Sequence, residues 1–395
     1  MTRLDHTRRR FSLRLRTGVL LAIAVALAAA ACSSSSPSTT SSSSATSSGS
    51  ATSASGLSAA DQAGLAKAEA IVTAGVVRPT QITDTVKVTK PIPKGLTIDF
   101  IPCGAPECLL EGNIVKQAAA SVGWTTDILT NDGSPQGDKA AFTQAARNKV
   151  AAVLYTAIPA STFASLLPTF KANGTFISTC CVTDAVGPST GIDYAIDTPS
   201  QVGPVGGTQA AWVAADSKDK ADAVFVNIPA FAILASQATY FKNGMASYCP
   251  TCTVSELDIA LSNLASAPTT IVSYLRAHPS VDYVVASTDA VTLGLPQAIK
   301  AAGLNVKIVG QGATPTNVQY LRSGQQAADV AFPYYEVMYA MVNAAIQDKA
   351  GMTVAPSVAP PAWLLTPANA PDTTAQVFPV VTGYQAQYQA LWSGA

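Results

Sequence analysis

Short apolar runs rich in β-branched residues alternate with longer Ala-rich segments from Gly95 onward. In the longer segments the apolar positions recur with helical spacing, so the short runs predict strands and the longer segments predict helices. Strands are predicted in a first series at residues 96–101, 125–129, 151–155 and 175–178, and in a second series at 222–228, 253–259, 282–286, 307–309 and 328–331. Helices are predicted near residues 109–122, 138–149, 160–173, 199–215, 232–246, 266–277, 289–302 and 315–323.

This alternation predicts the fold class. Parallel strands need crossover connections, which are usually helices, so two consecutive series of strand-then-helix units predict two parallel sheets covered by helices. We therefore predict an α/β fold with two doubly wound lobes. Upstream of the lobes, residues 58–94 predict a capped helix followed by an extended, proline-containing lead-in.

The first residues have the pattern of a secretory signal peptide, residues 1–31. A basic stretch precedes an apolar run over residues 19–31, which is shorter than the roughly 20 residues of a membrane-spanning helix. Small residues precede Cys32, which resembles a bacterial lipobox, although Ala29 stands where Leu or Val is usual. We predict a lipid on Cys32, a Ser-rich tether over residues 32–57 and a location at the outer face of the cytoplasmic membrane. The alternative is a plain cleavage site with an incidental cysteine.

Composition narrows the function classes. The chain has 24 basic and 24 acidic residues, and only 12% of it is charged, so it offers no basic surface for nucleic acid. Its two histidines are His6, inside the predicted signal peptide, and His278, in a polar turn. One remaining histidine gives no His-pair metal site and no Ser–His or Cys–His nucleophile system. We therefore predict no catalytic residue, no metal and no cofactor, and a protein that is not an enzyme.

Four stretches resemble the type I periplasmic binding proteins, the ribose-binding and lactose-repressor-like group. They are an opening strand at residues 95–101, a helix with Ala-His-Pro and a strand at 274–283, and the stretches 288–294 and 303–310. The Cys-containing loop 103–108 is similar to that of an actinobacterial-style lipoprotein subgroup. The resemblance implies that a ligand is enclosed between two hinged lobes and delivered to an ABC-type permease. We expect a monomer.

The resemblance also implies how the chain is divided. We predict an N-terminal lobe of residues 95–198 plus 332–355, and a C-terminal lobe with a tail, residues 199–331 plus 356–395. The chain must cross between the lobes at three predicted hinges, near residues 198–200, 331–333 and 354–358.

Two departures from the sugar-binding members bear on the ligand. Those members commonly have an Arg in the segment matching residues 235–237 and an Asp after the strand that ends at Gly310. This chain has no Arg in that segment and has Gln311 after the strand, although Asp289 retains the expected acid. Because an Arg–carboxylate set normally grips sugar hydroxyls, we predict a small, mostly uncharged ligand, sugar-like or other, that is held in a different way.

Six cysteines follow the predicted lipidation site, and an extracytoplasmic location allows them to oxidise. We predict a disulfide between Cys103 and Cys108, in the loop after the first strand, and another between Cys249 and Cys252. The second pair has thioredoxin-like spacing, but it ends a predicted helix instead of opening one. That context favours a structural turn disulfide.

Ligands of open α/β sheets bind beyond the carboxyl ends of the strands, so the ligand contacts are expected from the loops that follow the strands. The predicted contact residues are Cys103, Glu107, Tyr155, Thr156, Cys180, Cys181, Phe231, Thr288, Asp289, Gln311, Phe332 and Tyr334. Each aromatic residue could instead belong to the core, and Asp289 could cap the helix that follows it. Cys180 and Cys181 could form a vicinal disulfide, bridge to the first loop or stay free thiols.

The sequence therefore predicts an extracytoplasmic solute-binding lipoprotein of an ABC importer. A sensory binding protein that reports to a membrane receptor would have the same fold and is one alternative. A thiol-redox envelope protein that uses Cys249 and Cys252 is the other.

Overall fold

The computed structural model describes residues 57–372 and 377–393, and the strands of this part form two sheets. The strands of the first sheet are β1 (Thr97–Ile101), β2 (Thr125–Ile128), β3 (Ala152–Thr156), β4 (Phe176–Cys180) and β5 (Tyr194–Ile196). They lie in the order β2-β1-β3-β4-β5, and every pair is parallel. The short strand β5 is an addition to the strands that the hydrophobic pattern predicts.

The second sheet belongs to the other lobe. Its strands are β6 (Asp222–Asn227), β7 (Thr253–Asp258), β8 (Tyr283–Ala286), β9 (Lys307–Gly312), β10 (Ala328–Ala331) and β11 (Trp363–Leu365). The order is β11-β10-β9-β8-β6-β7, with β11 antiparallel to β10 and the other pairs parallel. The first sheet is parallel and the second is parallel except for β11, and the predicted α/β fold class with two lobes is confirmed.

Helices cover both faces of each sheet. They are α1 (Ala59–Gly75), α2 (Pro106–Ser121), α3 (Pro135–Asn148), α4 (Leu167–Asn173), α5 (Pro199–Ser217), α6 (Leu234–Tyr248), α7 (Ala267–Ala277), α8 (Leu295–Ala301), α9 (Pro315–Arg322), α10 (Tyr334–Lys349) and α11 (Tyr384–Trp392). Helices α2 and α10 pack on one face of the first sheet and α3 and α4 on the other. Helices α5 and α6 pack on one face of the second sheet, and α7 and α8 on the other.

Three connections join elements of the first lobe to elements of the second, close to the residues predicted as hinges. Residues 197–198 connect β5 to α5, residues 332–333 connect β10 to α10, and residues 350–362 connect α10 to β11. Because the first two connections are so short, the ends of β5 and β10 are held close to the opposite lobe.

The C-terminal segment does not stay in one lobe. Strand β11 pairs with β10 in the C-terminal lobe, where residues 356–395 are predicted. Helix α11 instead returns to the N-terminal lobe, where Tyr388 and Trp392 pack against Tyr339 of α10 with ring centroids 5.2 and 5.8 Å apart. The predicted boundary is corrected at α11, because an apolar helix face at the end of a chain does not indicate in sequence which lobe it covers.

Two predicted helices are interrupted. The segment predicted as one helix over residues 289–302 forms a 3₁₀ turn, Asp289–Thr292, and then α8. Gly294 lies between them with φ 79°, a left-handed conformation that cannot continue a helix. The segment 160–173 likewise forms two 3₁₀ turns before α4.

Glycines allow α5 and α6 to pack closely in the C-terminal lobe. A Cβ on Gly206 of α5 would overlap the carbonyl oxygen of Gln237 in α6 and lie 2.9 Å from the backbone nitrogen of Phe241. A Cβ on Gly244 of α6 would lie 2.7 Å from the Cβ of Ala210. The two helix backbones therefore meet at these positions, and the hydrogen atom of glycine is the only side chain that fits.

We expect Gly206→Ala to destabilise the protein by about 1–3 kcal/mol, because the added methyl group forces α5 and α6 apart. The free energy of unfolding in urea measures the effect. Gly207→Ala is the matched control, since a Cβ at this position meets no atom within 4 Å. The substitution also replaces a flexible glycine in the same helix. The control is expected to be neutral or to stabilise by about 0.5–1 kcal/mol, and equal losses in both variants would contradict close packing at Gly206.

Within residues 57–372 and 377–393, the structure contains no helix with both the length and the apolar character that crossing a membrane requires. The predicted signal peptide, Cys32 and the tether up to residue 56 lie outside the described residues.

Candidate functional site

A cavity of about 100 Å³ lies between the two lobes, where the carboxyl ends of the strands in both sheets meet. Pockets for drug-sized ligands have volumes of roughly 300–1,000 Å³, so this cavity suits a small molecule. Its wall is formed by Cys103, Ala105, Glu107, Cys108, Glu111, Thr156, Ala157, Cys181, Asp197, Val202, Phe231, Ile233, Leu234, Thr288, Ala290, Gln311, Phe332 and Tyr334.

A wider depression of about 600 Å³ adjoins the cavity. Cys103, Ala157 and Phe231 line both spaces, so the depression is the outer part of the same cleft. Its wall also includes Asp132 and Asp138. A ligand that comes from solvent through this depression passes these two carboxylates.

The loop between β1 and α2 forms one wall of the cavity. The Cα atoms of Cys103 and Cys108 in this loop are 5.6 Å apart, within the roughly 4.4–6.8 Å that a disulfide spans. Closing the loop in this way fixes the first turn of α2. Glu107 and Glu111 lie four residues apart on α2, so both side chains project from the same helix face, and this face lines the cavity.

Three strand-end residues line the cavity in the left-handed backbone conformation. Ala157 follows β3, Cys181 follows β4 and Asp197 follows β5, with φ of 55°, 64° and 55°. The backbone N–H of Ala157 donates to the carbonyl of Cys180 at 3.1 Å, and that of Cys181 donates to the carbonyl of Ile196 at 3.2 Å. Left-handed non-glycine residues cost energy and cluster at ligand clamps, so their position at three consecutive strand ends makes this edge of the sheet the candidate for ligand contacts.

Aromatic residues close the cavity from the other side. Phe231, after β6, packs against Cys103 and Cys108 of the opposite lobe and so joins the two lobes. Phe332 lies on the connection after β10 and Tyr334 is the first residue of α10, and their ring centroids are 4.7 Å apart at 70°. The cavity is therefore bounded by aromatic side chains as well as by carboxyl groups.

The electrostatics of the cavity are dominated by carboxyl groups. Glu111 is 4% exposed, and its Oε2 has no hydrogen-bond partner. Burial raises the pKa of Glu111 to about 8, and the negative charges of Glu107 and Asp197 act in the same direction. Burial also raises the pKa of Asp197 to about 7. In the part of the chain that the structure describes, neither the cavity nor the outer depression is lined by a Lys, Arg or His.

Residues 111–351 match the protein family described as the periplasmic binding protein domain. The chain belongs to this family. The match extends from α2 to the end of α10 and so includes both lobes and most of the cavity wall. The resemblance seen in the sequence is confirmed.

Solved structures have the same fold as this periplasmic binding protein. A galactofuranose binding protein superposes with a TM-score of 0.62 at 17% identity, over 70% of this chain and 96% of that chain. A Mycobacterium smegmatis protein in complex with β-D-fucofuranose gives 0.63 at 18% identity, over 76% and 98%. An ABC transporter solute-binding protein from Agrobacterium vitis bound with α-D-tagatopyranose gives 0.63 at 20%, over 70% and 96%. A search of curated protein sequences finds no significant match.

The structure of this periplasmic binding protein brings most of the predicted contact residues to the cavity. Those that line it are Cys103, Glu107, Thr156, Cys181, Phe231, Thr288, Gln311, Phe332 and Tyr334. Tyr155, Cys180 and Asp289 do not line it. Tyr155 is fully buried on the opposite face of the first sheet, with its ring centroid 5.2 Å from those of Phe142 and Phe163. Side chains alternate between the faces of a strand, which explains why Thr156 is in the cavity wall and Tyr155 is not.

Asp289 has a structural environment instead of a ligand-facing one. Its side chain is fully buried in the C-terminal lobe, where Oδ2 accepts a hydrogen bond from the backbone N–H of Thr314 at 2.8 Å. The carboxylate of Asp329 lies beside it and accepts one from the backbone N–H of Ala313 at 3.0 Å. Burial, with the adjacent Asp329, raises the pKa of Asp289 well above its usual range. Two adjacent buried carboxyls favour holding a proton between them, and this pair fixes the turn from β9 to α9.

The remaining cysteines fall in two environments. Cys180 and Cys181 are free thiols with their Sγ atoms 2.7 Å apart, and burial raises the pKa of Cys180 to about 12. Cys249 and Cys252 lie between the end of α6 and the start of β7, with Cα atoms 5.3 Å apart. Cys249 is fully buried, and no helix begins at the pair to stabilise a thiolate, which disfavours thiol exchange there.

Two acidic residues of the cavity are missing from the predicted contacts. Glu111 has a recognisable signal, because it is spaced four residues after Glu107 on the same predicted helix. Asp197 has no comparable signal in the sequence, since it follows β5, a strand of three residues that the hydrophobic pattern does not predict.

Proposed function

We propose that this periplasmic binding protein captures a small molecule between its lobes and delivers it, chemically unchanged, to an ABC-type importer. The position of the cavity carries this proposal. Its wall is shared between the carboxyl ends of two separate sheets, and connections between the lobes lie directly beside it. A ligand at that place contacts both lobes and stabilises the arrangement in which they are closed.

The three connections are proposed to act as the hinges. Asp197 and Phe332, which line the cavity, belong to the two shortest of these connections. A rotation of one lobe against the other therefore changes the cavity wall directly. Hinge closure around a ligand is an established type of conformational change, and it gives the loaded protein a different shape from the empty one.

The cellular setting is proposed from the sequence. The basic and apolar N-terminal segments and the small residues before Cys32 support export and lipid attachment, so that a monomer is tethered at the outer face of the cytoplasmic membrane. An oxidising location supports disulfides at Cys103–Cys108 and Cys249–Cys252. The sugars bound by the fucofuranose and tagatopyranose complexes support a small ligand with several polar groups.

Binding is expected to stabilise the purified protein against heat. In a thermal-shift screen of sugars, polyols, amines, nucleosides and amino acids, a true ligand at a hundredfold excess over its Kd adds about 2.7 kcal/mol. Phe231→Ala is expected to weaken that ligand at least about tenfold, because Phe231 contacts both the cavity and the opposite lobe.

Tyr240→Ala is the matched control for loss of an aromatic ring. Tyr240 is 42% exposed on α6 of the same lobe and does not line the cavity, so its variant should bind normally. Capture between the lobes would be contradicted if no compound in the screen stabilised the protein, or if the compounds that do so bound Phe231→Ala as tightly as the natural protein.

A further inference from the structure

Carboxyl groups line the cleft, whereas basic side chains, in the part of the chain that the structure describes, do not. Glu107, Glu111 and Asp197 line the cavity, and among the described residues no Lys, Arg or His lines it. We propose that the ligand is a small organic cation, whose protonated amine or quaternary ammonium group is held by Glu111 and Asp197. This inference rests on the proposed function, because it names the class of molecule that the same cavity captures.

Glu111 provides the most direct observation. The residue lines the cavity and is 4% exposed, and its Oε2 is buried without a hydrogen-bond partner of good geometry. Thr156, a residue 1% exposed in the same wall, is its side-chain neighbour and acts to lower the pKa of Glu111, but the Oγ1 of Thr156 makes no hydrogen bond of good geometry either. Buried polar atoms nearly always have partners, and an unsatisfied one costs about 1–3 kcal/mol. A bound donor group supplies the missing hydrogen bonds, and a cationic donor supplies them with charge assistance.

The aromatic rings complete a site for a cation. Phe231, Phe332 and Tyr334 line the same cavity as the carboxyl groups. The face of an aromatic ring attracts a cation, and quaternary ammonium ligands are commonly recognised by such faces. Rings combined with carboxylates, and without a basic side chain, match an alkylammonium group better than a carboxylate-bearing or phosphorylated ligand.

An inorganic metal ion is a poorer match. A metal site requires ligand atoms that converge on one point, and the described residues contain only one group of three such side chains with ligand atoms within 4.8 Å of one another, Asp219 with Cys249 and Cys252. The carboxyl oxygens of Glu107, Glu111 and Asp197 therefore do not converge in this way. Carboxyls spread around a cavity of about 100 Å³ fit a cation of several atoms.

The outer cleft extends the same electrostatics. Asp132 and Asp138 line it, and its wall also has no basic side chain among the described residues. A cleft lined by charges of one sign concentrates ligands of the opposite sign and speeds their association. The route from solvent and the cavity itself thus favour the same charge.

Two ligand pairs test the proposal by isothermal titration calorimetry on the purified protein. Choline is compared with dimethylbutanol, its neutral carbon isostere, and glucosamine with glucose. We expect at least one cation to bind at least about tenfold more tightly than its neutral counterpart, which corresponds to about 1.4 kcal/mol. Glu111→Gln should remove most of this preference, whereas Glu69→Gln, the same change at an exposed site on α1, should retain it.

The pH dependence gives a second readout with opposite signs for the two ligand classes. Choline does not titrate, so its affinity should rise between pH 6 and pH 9 (about the range set by the raised carboxyl pKa values) as Glu111 and Asp197 ionise. A neutral polyol that accepts hydrogen bonds from protonated carboxyls should weaken over the same range. The other titratable groups near Glu111 and Asp197 are Glu107 on α2, Cys180 at the end of β4, Cys181 directly after it, and Tyr334 on α10, and each has a raised pKa.

The outcomes of these measurements distinguish the proposal of a cationic ligand from the proposed binding-protein function. If the neutral member of each ligand pair binds as well as or better than the cation, the cation proposal is wrong and the binding-protein function still stands. If no member of either pair binds saturably and the thermal-shift screen gives no hit, both the cation proposal and the binding-protein function are wrong. A preference for Ca²⁺ over every organic cation, with Glu111→Gln abolishing it, would replace the organic ligand by a metal ion.

Discussion

Tyr388→Ala is expected to lower the free energy of unfolding by about 3–5 kcal/mol, the usual loss for a large aromatic side chain removed from a core. Tyr388 lies on α11 close to the end of the chain, yet it is 1% exposed. Its hydroxyl is 2.9 Å from Oδ2 of Asp84 and 3.0 Å from the carbonyl oxygen of Glu336. The side chain therefore joins the lead-in, α10 and α11 in the core of the N-terminal lobe, and its removal leaves a cavity at their junction.

Tyr388→Phe separates the contribution of the ring from that of the hydroxyl. The ring stays in place and only the hydrogen bonds are lost, so a decrease of about 1 kcal/mol is expected. Urea unfolding, followed by circular dichroism, measures both variants. A loss below about 1 kcal/mol for Tyr388→Ala would mean that α11 does not belong to the N-terminal core.

The stability of the ligand-free protein is expected to fall as the pH rises from about 5 to about 8. Burial raises the pKa of Glu111 to about 8 and that of Asp197 to about 7, both above the values of exposed carboxyls. Burial also raises the pKa of Glu336 to about 7. Between the unfolded and folded pKa values the folded protein keeps protons that the unfolded chain releases. The retained protons therefore stabilise the folded protein fully at pH values below the pKa that the carboxyls have in the unfolded chain. This stabilisation is lost as the pH rises through the pKa that they have in the folded protein.

Glu111 alone is expected to contribute on the order of 5 kcal/mol to this pH dependence, since each unit of pKa difference corresponds to about 1.4 kcal/mol. Unfolding free energies measured at several pH values should show a shallower slope in Glu111→Gln, because an amide does not titrate. Glu69→Gln, exposed on α1, should keep the slope of the natural protein. A stability that stays level or rises over this range would show that Glu111 is ionised in the empty cavity.

The pH prediction also bears on the proposed ligand. In the absence of a cation, the buried carboxyls are most stable in the protonated form, because nothing in the cavity wall compensates their charge. A bound ammonium group reverses this balance and favours the ionised form. Ligand binding should therefore reduce the loss of stability at high pH, which connects the stability measurement to the calorimetric one.

The sequence by itself determined the fold class and the ends of the strands where the site lies. Parallel strands give short apolar runs separated by helical segments, and this signal is local. It places Thr156, Cys181 and Gln311 at strand ends without any knowledge of the partner strands. The short spacing between Cys103 and Cys108 and the histidine content are equally readable along the chain.

Only the tertiary structure decided which of these residues share a cavity and what surrounds them. Thr288 and Asp289 are neighbours in sequence, but Thr288 lines the cavity, whereas Asp289 is buried in the C-terminal lobe beside Asp329. Asp197 and Glu111 come together from β5 and α2, and α11 returns to the N-terminal lobe after β11 has paired in the other. Burial and electrostatic coupling arise between segments that are distant in the chain, so a pattern read along the chain does not contain them.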